Sequence, residues 1–214
     1  MVSAILRYTF APIATLRIRS ITGREYLPRT GAAIIAFNHV SYVDPPILGS
    51  VVLRAVGRQP LFPTTTYIAD AFGWFGRAVL GMLRIDPTNP RDVLEPAMVH
   101  LSHGGLVGIF PEGHRNATDT LTVGKTGVAR LALMSGAPVI PVGYRGPGGR
   151  STGEAVRDFL FSNESIVVRI GEPLRFPQEP SPSRERLHEV TDTIMRRISE
   201  LSGKHFTPRR DAGV

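Results

Sequence analysis

Cysteine is absent from the 214 residues, which removes disulfides, thiolate metal sites and a cysteine nucleophile from consideration. The absence fits a reducing compartment. Lysine is nearly absent as well: Lys125 and Lys204 are the only two among 25 Lys+Arg, so arginine carries the positive charge. No long apolar run is present either. A membrane-spanning helix needs ~20 mostly uncharged residues. The nearest approach, "MVSAILRYTFAPIATLRIRS" at residues 1–20, is interrupted by Arg7, Arg17 and Arg19 and broken by Pro12. It also lacks the cationic start and clean apolar block of a secretory signal. Two readings of this segment stay open. One is a helix packed on the domain's own core. The other, carried forward here, is a membrane-associating interfacial helix, with Ile5, Leu6, Phe10 and Ile13 in the acyl boundary and arginines at the headgroups.

Several catalytic signatures are missing too. There is no G-x-S-x-G elbow, which argues against an α/β-hydrolase serine. "GKT" at Gly124–Thr126 ends like a P-loop, but the glycine required five positions earlier is Asp119, and no strand leads straight into it. His100 and His103 have no further ligand at a familiar metal spacing, so no metal is expected.

With 42% hydrophobic and 20% charged residues, the chain is globular and of a length for one domain. A net charge of +7 favours anionic partners such as nucleic acid, a phospholipid surface or a phosphorylated substrate, although a solvated arginine-rich surface explains it equally. No nucleic-acid-binding motif is present, and a nucleic-acid partner is not expected.

Strand and helix patterns alternate. Ala32–Phe37 reads as a buried strand, and Pro45 to about Val56 as a helix with Ile47, Leu48, Val51, Val52 and Ala55 inward. Thr66–Leu83, with Phe72, Trp74 and Phe75, begins extended and becomes helical; Arg84–Asp86 is a short strand. Asp92 and Glu95, at capping-box spacing, open a helix running to about His103 that Gly104–Gly105 ends. Leu106–Phe110 is a second buried strand. Gly127–Ser135 is a helix, Pro138–Tyr144 and Ser165–Ile170 are strands with the mobile loop "RGPGGRSTG" between them, and Ser183 to about Leu201 is an amphipathic helix. The expected fold is a single α/β domain with a mostly parallel central sheet flanked by helices, preceded by the N-terminal segment. Its parts are an interfacial helix at 1–20, a core domain at 21–203 and a loose basic tail at 204–214.

In such folds ligands bind outside the carboxyl ends of the strands, which directs attention to the segments just after Phe37 and Phe110. After Phe37 come Asn38, His39, Ser41, Tyr42 and Asp44. A turn there can bring the Asp44 carboxylate to the His39 Nδ1, fixing the tautomer and freeing Nε2 to take a proton. Asp44 before Pro45 reads equally as a helix N-cap. After Phe110, "PEGHRN" places Glu112, Gly113 and Arg115 in a tight turn. Gly113 permits a bend that a side chain would block. Arg115 can grip a phosphate or carboxylate through two donors, and Glu112 can accept from a hydroxyl or orient the arginine. A surface turn with a local Glu–Arg pair is the plainer reading.

Together the clusters resemble the PlsC-like glycerolipid acyltransferase family. The match rests on "NHVSYVD" (Asn38–Asp44), "FPEGHRN" (Phe110–Asn116), "GKTG" with Lys125 and Gly127, and "APVIPVGYRG" (Ala137–Gly146), all in order over roughly Leu27–Gly146. The resemblance implies transfer of a fatty acyl group from a thioester, acyl-CoA or acyl-ACP, to a glycerolipid hydroxyl, most simply that of lysophosphatidic acid. It implies His39 as general base, Asp44 as its orienting partner, and Glu112, Gly113, Arg115 and Lys125 around the acceptor's polar head. Backbone donors near Gly113 or at the helix after Asp44 would meet the oxyanion, and the Phe72–Leu83 stretch would either meet lipid or join the core. No cofactor is implied beyond the thioester co-substrate, and the setting would be peripheral, on the cytoplasmic face of a membrane. The chain departs from the family pattern at His114 and Asn116, and at Pro87, where an arginine is usual; Arg84 or Arg91 would have to substitute. Acylation of another glycerolipid or glycolipid hydroxyl, and lipid binding without catalysis, remain as alternatives.

Overall fold

A computed structural model describes residues 15–65, 70, 81–85, 88, 90–149 and 151–209. Its strands are β1 (Ile18–Thr22), β2 (Ala33–Phe37), β3 (Phe62–Thr65), β4 (Met82–Ile85), β5 (Leu106–Ile109), β6 (Thr120–Leu121), β7 (Val139–Arg145), β8 (Ile166–Ile170) and β9 (His205–Phe206). Its helices are α1 (Asp44–Val56), α2 (Pro90–Ser102), α3 (Gly127–Ser135), α4 (Thr152–Phe161) and α5 (Arg184–Ser202).

Five successive apolar residues, all buried, make β2 the middle of the molecule. A strand covered on both faces needs apolar side chains at every position rather than at alternate ones. Ala33, Ile35 and Phe37 point into one core with Leu48, Val51 and Val52 of α1. Ile34 and Ala36 point into the other, with Val128 and Leu131 of α3 and Ile194 and Ile198 of α5. Side chains of this size contribute about 1.5–3 kcal/mol each when fully buried.

The main sheet has the order β1-β8-β7-β2-β5. All its pairings are parallel except β7 with β8, as the expected mostly parallel sheet requires. The parallel pair β3–β4 leans on the β5 edge through a bridge between Leu61 and Val107. Phe62 can lie there because residue 108 is glycine; an added Cβ would come within 2.4 Å of its ring. The parallel strands β2, β5 and β7 therefore deliver their carboxyl ends to one rim, and the loops after β2 and β5 lie on it.

The ends of the chain depart from expectation. Residues 18–20, assigned above to an N-terminal helix, belong to β1, which pairs with β8. Residues 1–14, and with them the interfacial helix proper, lie outside the described residues. The basic tail, as far as the described residues reach, is not loose: β9 pairs with β6, and Lys204 is buried. Residues 18–206 thus belong to one fold, wider at both ends than the expected 21–203. The loop reading of "RGPGGRSTG" also ends early, since Ser151 caps α4 by accepting from the Glu154 amide. Helix α2 starts at Pro90, so Asp92 lies inside it and opens no capping box. The strand expected at Arg84–Asp86 runs from Met82 to Ile85. Most of the aromatic stretch, residues 66–69 and 71–80, lies outside the described residues. Among the described residues, no helix is long and apolar enough to cross a membrane.

Lys204 joins the tail to the rim. Its Nζ donates to the carbonyls of Asn116 (3.0 Å) and Thr118 (2.7 Å), in the loop after β5. Burial pulls its ammonium below the usual lysine range, against the opposing effect of the Glu112 charge. Replacing it leaves two acceptors without their charged donor, and an unsatisfied buried group costs about 1–3 kcal/mol. Lys204→Ala should therefore destabilise the protein by about 2–4 kcal/mol in urea unfolding. A change below about 0.5 kcal/mol, as for a solvated surface lysine, would restore the loose tail.

Candidate active site

The site begins where β2 runs out. Asn38 is buried, and its side chain replaces the backbone as a ladder partner for β7. Its Nδ2 donates to the Tyr144 carbonyl (2.9 Å), and its Oδ1 accepts from the Tyr144 amide (2.7 Å). The main chain can then leave the sheet while the amide holds the next strand in place.

The next turn is organised around one oxygen. Asp44 Oδ2 accepts from the amides of Val40 (2.6 Å) and Ser41 (2.7 Å), and lies 2.9 Å from His39 Nδ1. Asp44 is fully buried, whereas the His39 side chain is 16% exposed. Oδ2 is an acceptor, so Nδ1 donates and Nε2 carries the ring's lone pair. Nε2 has no hydrogen-bond partner among the described residues, so it can accept a proton from a bound group.

The N-cap reading of Asp44 does not hold. Helix α1 begins at Asp44 itself, Val43 stands at the cap position, and no side chain caps the helix. Residues 45 and 46 are both proline, so two of the first-turn N–H groups that normally need a cap do not exist. Asp44 N donates to Ser41 O, and Ile47 N to Val43 O. The carboxylate can therefore turn backward to the histidine. The same facts remove the start of α1 as a source of oxyanion donors.

His39 is fixed from every other side. Its amide donates to Glu112 Oε1 (3.3 Å), and its carbonyl accepts from the Asn116 amide (2.6 Å). Its ring stacks on Phe110 with centroids 4.1 Å apart. Behind Asp44 lies Tyr144, whose phenol is pushed well above its usual range, first by burial and then by the Asp44 charge. The phenol therefore stays neutral against the carboxylate. Among the described residues, neither the Tyr144 hydroxyl nor Asp44 Oδ1 makes a hydrogen bond of ordinary geometry.

The turn after β5 corrects a second expectation. Glu112 does not face a substrate; it is 1% exposed. Besides the His39 amide, it accepts from Asn116 Nδ2 (2.9 Å) and from the amide and hydroxyl of Thr122 (3.1 Å each). It ties the two loops together and does not orient Arg115. Arg115 instead lies over the Tyr42 ring, 3.3 Å from its centroid, in cation–π contact. The exposed Lys125 packs against Gly113. That glycine has φ +71°, and an added Cβ would lie 2.5 Å from Lys125 Cε. The Gly113 amide donates to the Phe110 carbonyl (3.0 Å), so it too is unavailable as an oxyanion donor.

The structure therefore joins His39, Asp44, Glu112, Gly113, Arg115 and Lys125 through two neighbouring loops. Arg84 stands apart on β4, in an exposed ion pair with Asp70 at 3.3 Å. Pro87 and the side chain of Arg91 lie outside the described residues. Among the described residues, no group of acids and histidines could hold a metal ion. The roles of Asn38, Phe110 and Tyr144 were not visible in sequence. Asn38 is the first letter of its motif, but nothing in the spacing reveals that its amide bridges two strands.

The family model described as Acyltransferase matches residues 18–145. A 1-acyl-sn-glycerol-3-phosphate acyltransferase of Bacillus subtilis is 30% identical over 211 residues, covering 92% of this chain and 98% of that protein. A chloroplastic 1-acyl-sn-glycerol-3-phosphate acyltransferase of Arabidopsis thaliana is 30% identical over 135 residues, 60% of this chain and 36% of that one. The crystal structure of PlsC, the 1-acyl-sn-glycerophosphate acyltransferase of Thermotoga maritima, superposes with a TM-score of 0.66 at 22% identity. It covers 95% of this chain and 80% of that one, a likeness of fold.

The bracing role of Glu112 separates it from its neighbours on the turn. Glu112→Gln would set an amide donor among donors and should destabilise the protein by about 2–4 kcal/mol in urea unfolding. Arg115→Ala loses one half-exposed stacking contact and should cost about 1 kcal/mol or less. Equal stability of Glu112→Gln and wild type would return Glu112 to the groups that face a ligand.

Proposed function

The chain belongs to the PlsC-like acyltransferase family, and from that membership we propose that it acylates the free hydroxyl of lysophosphatidic acid, giving phosphatidic acid. The acyl donor is a thioester, acyl-CoA or acyl-ACP. The observation that carries this reading is the His39–Asp44 pair at 2.9 Å, with Nε2 unpartnered on a rim that also holds Arg115 and Lys125.

Nε2 of His39 takes the proton of the acceptor hydroxyl as its oxygen attacks the thioester carbonyl. Asp44 stabilises the imidazolium that forms. Collapse of the tetrahedral intermediate breaks the carbon–sulfur bond, and the departing thiolate takes the proton from His39. Both protons and charge balance without a protein-bound acyl intermediate, which suits a chain with no cysteine and no serine elbow. The acceptor's phosphate lies between Arg115, held flat by Tyr42, and Lys125, positioned by Gly113. The amides of His114 and Arg115, on the same turn and without acceptors of their own among the described residues, supply oxyanion donors. A lipid acceptor and a net charge of +7 support work at an anionic membrane surface, as a peripheral protein on the cytoplasmic face.

The test is a thiol-release assay on the purified chain with palmitoyl-CoA and vesicles containing lysophosphatidic acid. His39→Ala should lose about 10²–10⁴-fold in kcat while still folding, with a lowered melting temperature because the buried Asp44 Oδ2 loses one of its donors. Replacing lysophosphatidic acid by monoacylglycerol should lower kcat/KM roughly tenfold or more, as expected when a charge-assisted contact is lost. Activity that persists in His39→Ala would remove the assigned base. Equal turnover of monoacylglycerol would remove the phosphate grip.

A further inference from the structure

Beside the active-site turn, Lys125 opens onto a groove of about 540 Å³. Arg130 of α3, Arg184 and His188 of α5, and Arg209 of the C-terminal segment also line it. No carboxylate lies within ion-pair distance of Lys125, Arg130, Arg184 or Arg209 among the described residues. Elsewhere on α5, Arg186 pairs with Glu179 and Glu189, and Arg197 with Glu200, while Arg196 has no ion pair among the described residues. What distinguishes the groove is that four such cations converge on one concavity beside the active-site turn.

The folding preferences of the chain run against this clustering. Arg184 is the first residue of α5, at the positive end of a 19-residue helix, where a cation is unfavourable. Glu185 beside it is held below the usual carboxylate range chiefly by its own backbone amide and then by the Ser183 hydroxyl, with smaller effects from the His188 and Arg184 charges, so it mainly serves the helix start. Helix α3 also opens here, and Thr126 at its cap position makes no side-chain cap. Arg209 uses one nitrogen on the Gly124 carbonyl, while its Nη1 is buried with no acceptor among the described residues. Four cations outside ion-pair distance of a carboxylate and two helix starts, set around one concavity, favour an anion with several charges.

We propose that this groove binds the nucleotide end of acyl-CoA, with Arg130, Arg184 and Arg209 on its phosphates. The assignment rests on the acyltransfer reading for the presence of a thioester carrier. The acceptor presents one phosphate, which Arg115 and Lys125 already meet, whereas the groove gathers further cations beyond them. Its concave shape fits a compact polyphosphate better than a flat bilayer or a protein helix. Pro182 and Leu187 add an apolar wall against which a purine can lie. Lys125, shared by the groove and the Gly113 turn, places the carrier beside the base.

The experiment compares the full chain with the double variant Arg130→Ala/Arg184→Ala, both positions being exposed. Calorimetric titration with adenosine 3′,5′-bisphosphate needs no turnover. Wild type should bind it, bind AMP more weakly, and lose at least tenfold in bisphosphate affinity in the double variant. In steady state, the preference for palmitoyl-CoA over palmitoyl-pantetheine, measured as the ratio of kcat/KM, should shrink at least tenfold. Undiminished bisphosphate affinity, or equal losses with both thioesters, overturns the proposal. So does a loss confined to acyl-ACP, which assigns the groove to an acidic carrier protein. A loss confined to sedimentation with phosphatidylglycerol vesicles assigns it to the membrane and overturns the proposal as well. Intact bisphosphate binding in a chain that turns over no thioester sinks the acyltransfer reading instead and leaves a phosphate groove.

Discussion

One oxygen atom, Oδ2 of Asp44, holds the rim of this protein together. A fully buried carboxylate is costly unless its lone pairs are occupied by donors. Here two backbone amides and an imidazole N–H occupy it within six residues of chain. The turn cannot relax without exposing that charge, and the charge cannot be satisfied without the histidine. Formation of the turn and selection of the His39 tautomer are therefore the same event. The paired prolines make this possible by removing the amides that would otherwise compete for the carboxylate.

Glu112 repeats the device one loop away. It is also buried, and its two oxygens gather donors from His39, Asn116 and Thr122. The two motifs that look like separate signatures in sequence thus form a single network, with the His39 main chain as its shared member. Asn116, where the family usually has serine, fits that network: its side chain donates to Glu112 and accepts from Thr118. Lys204 then anchors the far side of the same loop through two carbonyls. The departure at Asn116 therefore bears on how the loop is braced, not on which acceptor is used.

The range of the forces involved decides which features the sequence disclosed and which it hid. β2, β5, α3 and α5 were legible because unbroken burial, helical periodicity and stop glycines are local signals. β1 was not, because an edge strand with three exposed or half-exposed polar positions has no apolar run to announce it. α4 was missed although Ser151 and Glu154 stand at capping spacing, because the preceding glycines and proline dominate the local composition. The His39–Asp44 pairing was within reach of turn geometry. The burial of Glu112 was not, since it depends on Thr122 and on a lysine 92 positions farther along the chain. Nothing local distinguishes a solvated glutamate from one that braces two loops.

That shared bracing also constrains how the site can work. Catalysis by positioning requires base and substrate grip to hold a fixed separation, and a misplacement of about 1 Å can cost 10²-fold in rate. Here His39, the proposed base, hangs from Glu112 through its own amide, while the adjacent residue, Gly113, sets the position of Lys125. Arg115, two residues on, is kept flat by Tyr42, which comes from the turn that Asp44 closes. Each cation thus answers to the loop that carries or supports the histidine, and neither can drift without disturbing a buried carboxylate. A surface of arginines alone would attract phosphates and leave them mobile. Two buried acids beneath the rim convert that attraction into a defined distance from Nε2.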